Sequence, residues 1–267
     1  MAPAPDPGLV EVGRDGPLPV IGRDGRQPWR VYARPFEDQE LRPRIALVIA
    51  SLGLSDAATQ AAIQKLPGPV TLSFIPYANN LQAHIAAARA AGHEVILQLP
   101  MEPENYPQSD PGPQALMTTL SDSENQERLD WLLSRTSGYV GVVNYLGSRF
   151  TARADSLRPV LDSVKKRGLL FLDSKSGSRS VGPQIGRELN MPFAVNDRFI
   201  DNEASAVAID ARLAELEKIA RDNGSAVGIG FPYPVTLERV GAWATGLQAR
   251  GLVMAPVSAV VNRQPAR

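Results

Sequence analysis

"RIALVIASLGLS", residues Arg44 to Ser55, is the stretch from which the rest of the chain can be read. Ile45 to Ile49 is an apolar run with no polar face, the pattern of a parallel strand covered on both sides. It stops at Ala50-Ser51-Leu52-Gly53. Gly53 can turn the chain, and Ser55 is a helix N-cap type ahead of the next segment. In folds built from such strand-turn-helix units, chemistry sits at the carboxyl end of the strand. Here that end offers two small side chains and no charge.

The same unit recurs downstream. Strands are expected at about 45–49, 70–75, 94–99, 139–143, 169–172, 192–195, 226–230 and 252–256. Helices are expected at about 56–65, 80–91, 122–134, 154–167, 180–190, 204–222 and 235–249. Gly92, Gly168, Gly224 and Gly251 stand where a helix would hand over to a strand, as C-cap glycines do. Ser121-Asp-Ser-Glu124 reads as a capping box. Alternation at this pitch predicts an α/β fold. No Gly-x-Gly-x-x-Gly follows the first strand, so a distorted (β/α) barrel of seven to eight parallel strands is preferred to a dinucleotide fold.

Composition narrows the chemistry. The 267 residues are 43% hydrophobic and 21% charged, enough for a full core. Lys plus Arg and Asp plus Glu both number 28, so no field of one sign recruits nucleic acid. There is no cysteine, which excludes thiolate catalysis and disulfides. The only two histidines, His84 in a helix and His93 before a strand, fall away from the strand ends. Each is expected to be a solvated or locally bonded surface residue, which leaves Ser51 without a base for a catalytic triad.

No run of about 18 apolar residues exists to span a membrane. The sequence divides into a Pro/Gly-rich extended arm over 1–43, a barrel over 44–258 and a tail over 259–267. Trp29, Tyr32 and Phe36 in the arm either anchor it to the barrel or serve a partner. The opening carries no basic-then-apolar export signal, and its Pro-rich start suits the stretch after an anchor.

Residues expected at the strand ends are Ser51, Tyr77, Gln98 with Glu102, Asn144 with Tyr145, Asp173 with Ser174, Asn196 with Asp197, and Phe231 with Tyr233. A long loop with five prolines, Pro100 to Leu120, belongs to the same end. The acids Glu102, Asp173, Asp197 and Asp201 either fasten loops and pair with Arg149, Arg179 and Arg198, or form an all-oxygen cation site. The rings Tyr77, Tyr106, Tyr145, Phe231 and Tyr233 either pack loops or stack on sugar faces.

Several segments resemble the divergent polysaccharide deacetylase family of the NodB-like carbohydrate esterases. They are "LPGPVTLSFIPYA", "GHEVILQLPMEP", "DPGPQAL", "NYLGSRFT", "LLFLDSKS" and "IGFPYP", and the likeness runs from about Arg44 to Ser258. The resemblance implies a carbohydrate substrate class and an envelope or periplasmic setting, with an anchoring segment outside this chain. It also implies a metal site whose residues are changed here. Ala50 and Ser51 stand where two aspartates are expected, and Gln98, Tyr145 and Phe231 stand where histidines are expected. What is retained is Glu102, Asn144, Gly147, Ser148, Asp173 and Ser174.

The expectation is therefore a pseudoenzyme with no cofactor. Its cleft, formed by Gln98, Glu102, Asn144, Tyr145, Ser148, Asp173, Ser174, Asp197, Phe231 and Tyr233, binds a glycan such as peptidoglycan or chito-oligosaccharide, or an envelope protein. The alternative is a hydrolase whose zinc or similar ion is held by Glu102, Asp173, Asp197 and Asp201.

Overall fold

Ahead of the barrel the chain forms a 3-10 turn (Pro7–Leu9), a hairpin of β1 (Val10–Val12) and β2 (Pro17–Pro19), and one helical turn, α1 (Pro28–Val31), in the computed structural model, which describes residues 1–38 and 40–265. The barrel follows as β3 (Arg44–Leu52), α2 (Asp56–Lys65), β4 (Thr71–Phe74), α3 (Leu81–Ala90), β5 (Val95–Met101) and α4 (Asp122–Leu133). Next come β6 (Gly141–Leu146), α5 (Ala154–Lys166), β7 (Leu170–Asp173), α6 (Gly182–Glu188), β8 (Phe193–Val195) and β9 (Arg198–Phe199). The chain then runs through α7 (Ala206–Asn223), β10 (Ser225–Gly230), α8 (Pro234–Thr245), β11 (Val253–Met254) and a 3-10 turn (Val257–Val260). Ser55 caps α2, and Ser121 with Glu124 forms both bonds of a capping box on α4.

The strands form one parallel sheet in the order β8-β7-β6-β5-β4-β3-β10-β9. On one side of β3, β10 pairs from Arg44 to Ile49. The other side is shared: β11 pairs Arg44 and Ile45, and β4 takes over from Val48. β8 and β9 are opposite ends of the sheet, yet only Asn196 and Asp197 separate them. Two residues reach no more than about 10 Å from end to end, so the sheet must curl until its edges meet. The link also bonds to both sides: Asn196 N–H donates to Asp173 O and Asp197 N–H to Val227 O, each at 2.8 Å. The result is a distorted barrel whose seam is covalent chain in place of a ladder.

One apolar cluster fills the space between sheet and helices, and a second fills the barrel interior. The interior cluster includes Ala46, Val48 and Ala50 of β3, Leu170 and Leu172 of β7, and Val227 and Ile229 of β10. Leu9 and Tyr32 of the opening segment belong to it too, with Trp29 and Phe36 packed against it. Trp29 N–H donates to Gly168 O and Arg34 N–H to Glu94 Oε2, both just before strands, so this segment covers the amino end of the barrel. Where the sequence suggests an extended arm, buried Leu9 and Leu18 fold it into turn and hairpin.

Both histidines correct an expectation. His93 is fully buried, with Nδ1 2.9 Å from Val70 O and Nε2 3.2 Å from Ile63 O, fastening the approach to β4 and β5. His84 is also buried, 3.1 Å from Asp56 Oδ1. Neither is a solvated surface residue.

Candidate functional site

The carboxyl end of β3 is held in an unusual backbone shape. Ser51 has φ of 61°, the left-handed region that a non-glycine residue seldom adopts. Leu146 at the end of β6 (φ 55°) and Lys175 just past β7 (φ 52°) share it. Ser51 N–H donates to Gln98 Oε1 at 3.1 Å, across the intervening strand β4. The Gln98 amide thus takes up a backbone donor at the very strand end whose side chains are small.

Around this contact lies a pocket of about 100 Å³. Its floor is Val48, Ala50, Val143 and Ile229, and its walls include Gln98, Asn144, Tyr145, Leu146, Ser174, Ser176, Phe199 and Phe231. Phe199 and Phe231 lie parallel, 2° between planes and 6.4 Å between centroids. Tyr233, 46% exposed, continues this platform at 6.2 Å from Phe231.

The polar wall is ordered by its own bonds. Asn144 Oδ1 accepts Ser174 N–H at 2.7 Å, its Nδ2 donates to Leu146 O at 2.8 Å, and Asn196 Nδ2 donates to Ser174 O at 3.1 Å. Two buried atoms, Ser174 Oγ and Asn196 Oδ1, have no hydrogen-bond partner among the described residues. Such atoms are costly to bury and mark where a water or ligand polar group belongs.

The four acids do not form an ion site. Glu102 Oε2 accepts Thr118 N–H and Oγ1–H at 2.7 and 2.6 Å, while Arg149 donates to its Oε1. Asp173 accepts Lys175 N–H and Ser180 Oγ–H. Asp197 Oδ2 accepts Val227 N–H and Gln264 Nε2–H. Asp201 Oδ2 accepts Phe231 N–H and Thr236 Oγ1–H. Each carboxylate fastens a separate loop to its strand, and among the described residues no three Asp, Glu or His side chains converge. The alternative ligand set of Glu102, Asp173, Asp197 and Asp201 is corrected on that ground. Burial pushes the carboxyls of Asp173 and Asp201 above the usual range, despite the bonds that oppose it. Of the three arginines, only Arg149 pairs with one of these acids; Arg179 pairs with Glu104 and Arg198 with Glu215.

Other expected cleft residues lie apart from the pocket. Ser148 Oγ accepts Glu104 N–H, tying the long loop down. Tyr77 packs on Trp131 and accepts Gln114 N–H, so it supports that loop from beneath. Tyr106 is 42% exposed on the same loop. Phe199, Leu146 and Ser176 line the pocket without being anticipated. Phe199 was hidden by the brevity of β9, two residues long; an aromatic just after Asn196-Asp197 was the available signal.

The divergent polysaccharide deacetylase family matches residues 47–261, most of the barrel just described. The chain belongs to that family. A crystal structure of an uncharacterized protein from Agrobacterium tumefaciens C58 is similar at 39% identity with TM-score 0.90, covering 92% of this chain and 100% of that one. An uncharacterized protein of Haemophilus influenzae is 25% identical over 194 residues, 73% of this chain and 68% of its own length. The uncharacterized protein YibQ of Escherichia coli is 22% identical over 197 residues, 74% and 61% respectively. This chain matches about two thirds of the length of those two relatives.

Membership in a deacetylase family raises the question of a metal. A hydrolytic zinc site takes about three nitrogen or oxygen donors plus water. Among the described residues the mouth of the barrel presents aliphatic, aromatic, amide and hydroxyl groups, and these do not fit such an ion. Among the described residues no helix is long and apolar enough to cross a membrane.

Proposed function

We propose that this family member binds glycan through the barrel mouth without hydrolysing it. The observation that carries the reading is the contact between Gln98 Oε1 and Ser51 N–H, set in an apolar, aromatic pocket. Amide hydrolysis needs a polarising group and an activated water. Here a strand end is closed by an amide, and among the described residues no carboxylate or imidazole lines the space.

About 100 Å³ is too small for a sugar ring but suits one substituent, such as an acetamido group. The ring would then rest outside, against Phe231 and Tyr233, while Ser174 Oγ meets a polar atom of the ligand. The setting proposed is the bacterial envelope and its periplasm, where peptidoglycan is exposed. An envelope protein is the second ligand class, favoured by exposed Leu54 and Tyr233 in loops and Val207 in the first turn of α7.

Purified chain is expected to carry far less than one zinc and to release no acetate from an N-acetylglucosamine oligomer. Stoichiometric zinc together with acetate release would overturn the reading. Titration with chitotriose is expected to shift the amide resonances of Ser174, Ser176 and Phe231. Phe231→Ala is expected to weaken that binding about tenfold, the scale of one lost ring contact.

A further inference from the structure

The loop after β7 is a partition. Ser174 and Ser176 face the mouth, whereas Asp173, Lys175 and Gly177 line a second cavity of about 210 Å³ behind it. The far wall of that cavity is Phe193 and Val195 of β8, Pro183 and Arg187 of α6, and Gln264 of the tail.

Three observations bear on what the cavity holds. Lys175 and Arg187 bring two cations to it, and neither is in an ion pair among the described residues. Lys175 is kept at φ of 52° by a buried carboxylate, since Asp173 Oδ1 accepts its N–H at 2.7 Å. A non-glycine residue held in that region costs free energy, and such positions gather at ligand clamps. Asp173, the only acid among the described residues of the wall, has both oxygens turned to donors of its own loop, Oδ1 to Lys175 N–H at 2.7 Å and Oδ2 to Ser180 Oγ–H at 2.6 Å.

We propose that this second cavity is a carboxylate-binding subsite, so that the ligand of the mouth is an acidic saccharide whose anionic substituent passes over the 174–178 loop to Lys175 and Arg187. The proposal rests on the glycan reading of the mouth for its saccharide and on the second cavity for its charge. Alternate residues of one loop face the two spaces, so a ring and a substituent a few bonds away can be held at once.

The test is an NMR titration of the full chain with three probes: N-acetylglucosamine, D-lactate, and N-acetylmuramic acid, which joins the two. N-acetylglucosamine is expected to move only the mouth amides, and D-lactate only those around Lys175 and Arg187. N-acetylmuramic acid moves both sets and binds at least tenfold more tightly than N-acetylglucosamine. Lys175→Gln and Arg187→Gln, both at exposed side chains, are expected to abolish that preference while the mouth shifts remain. Equal affinity for the two sugars, or a preference that survives in both variants, overturns the proposal. If N-acetylglucosamine leaves the mouth unmoved, the glycan reading falls. In that event a lactate response lost in Lys175→Gln upholds the anion site alone, and no lactate response removes it as well.

Discussion

Asp201 lies at 4% exposure beneath the aromatic platform, and its two oxygens are treated differently. Oδ2 accepts Phe231 N–H at 2.7 Å and Thr236 Oγ1–H at 2.8 Å, which places Phe231. Oδ1 is buried with no partner among the described residues. Burial therefore raises the folded-state pKa above the ordinary value of 3.8, more than those two bonds lower it. A raised folded pKa means the folded chain holds its proton more tightly than the unfolded chain. The associated stability is fully present below about pH 4 and is lost as pH rises through the folded value. Asp201→Asn keeps an acceptor for Phe231 and Thr236 and has no charge to bury. Its stability relative to the parent should rise with pH from about 4 and level off above the folded pKa. Urea unfolding at pH steps between 4 and 8 measures this, and parallel profiles for the two proteins would refute it.

At the scale of elements, the weak point of the barrel is β8, an edge strand three residues long. An open edge invites pairing with another chain. Here side chains of the tail cover it. Asn262 Oδ1 accepts Phe193 N–H, its own N–H donates to Phe193 O, and Gln264 bonds Val195 N–H and O through its side-chain amide. The pair Asn262→Ala with Gln264→Ala removes three of these four bonds, since the backbone donor of residue 262 survives. A loss of about 1–2 kcal/mol is expected. Hydrogen exchange at residues 193–195 should rise, and size-exclusion chromatography should show association at high concentration. Unchanged protection at those residues would mean the tail does not guard the edge.

This tail also marks the limit of what the residues disclose. Apolar runs and caps made β3, β5, β6 and β10 legible, because strands covered on both sides leave an unbroken signature. The Gln98, Asn144, Tyr145, Ser174 and Phe231 side of the pocket was legible because it sits at the ends of those same strands. β9 was not, since two residues, Arg198-Phe199, carry no periodicity. Side-chain amides that imitate a strand leave no pattern at all, and neither does the destination of a buried carboxylate. Glu102 and Asp201 look alike in sequence as acids near strand ends, yet one fastens the long loop and the other places Phe231.

For the whole molecule, the question is whether residues 1–38 are a tether or a part of the barrel. Arg89, buried at the amino end, donates to Gly138 O, to Tyr32 O and to Ala2 O. Two of those three acceptors come from the opening segment. Buried Glu94 likewise accepts Arg34 N–H from it, besides Ser258 N–H and Oγ–H. Leu9 and Tyr32 are 0% and 1% exposed inside the interior cluster. Removing the segment would take from Arg89 two of those three acceptors and from Glu94 one of its three donors, and would open the interior to water. A hydrogen bond to a charged group is worth about 1.5–3 kcal/mol, and three such bonds are lost. Deletion of 1–38 is therefore expected to lower the thermal midpoint by more than 10 °C, at roughly 2–4 °C per kcal/mol for a chain of this size, and to increase binding of a hydrophobic dye. Graded variants guard against a deletion that simply fails to fold. Leu9→Ala should cost about 2–5 kcal/mol as a core cavity. Tyr32→Phe, which loses only the acceptor for Asp6 N–H, should cost about 1 kcal/mol. A deletion that melts with the parent, or a Leu9→Ala indistinguishable from it, would return the segment to the role of a tether. The ordered series instead makes the floor of the barrel a product of the residues before it, leaving the carboxyl end as the face open to ligand.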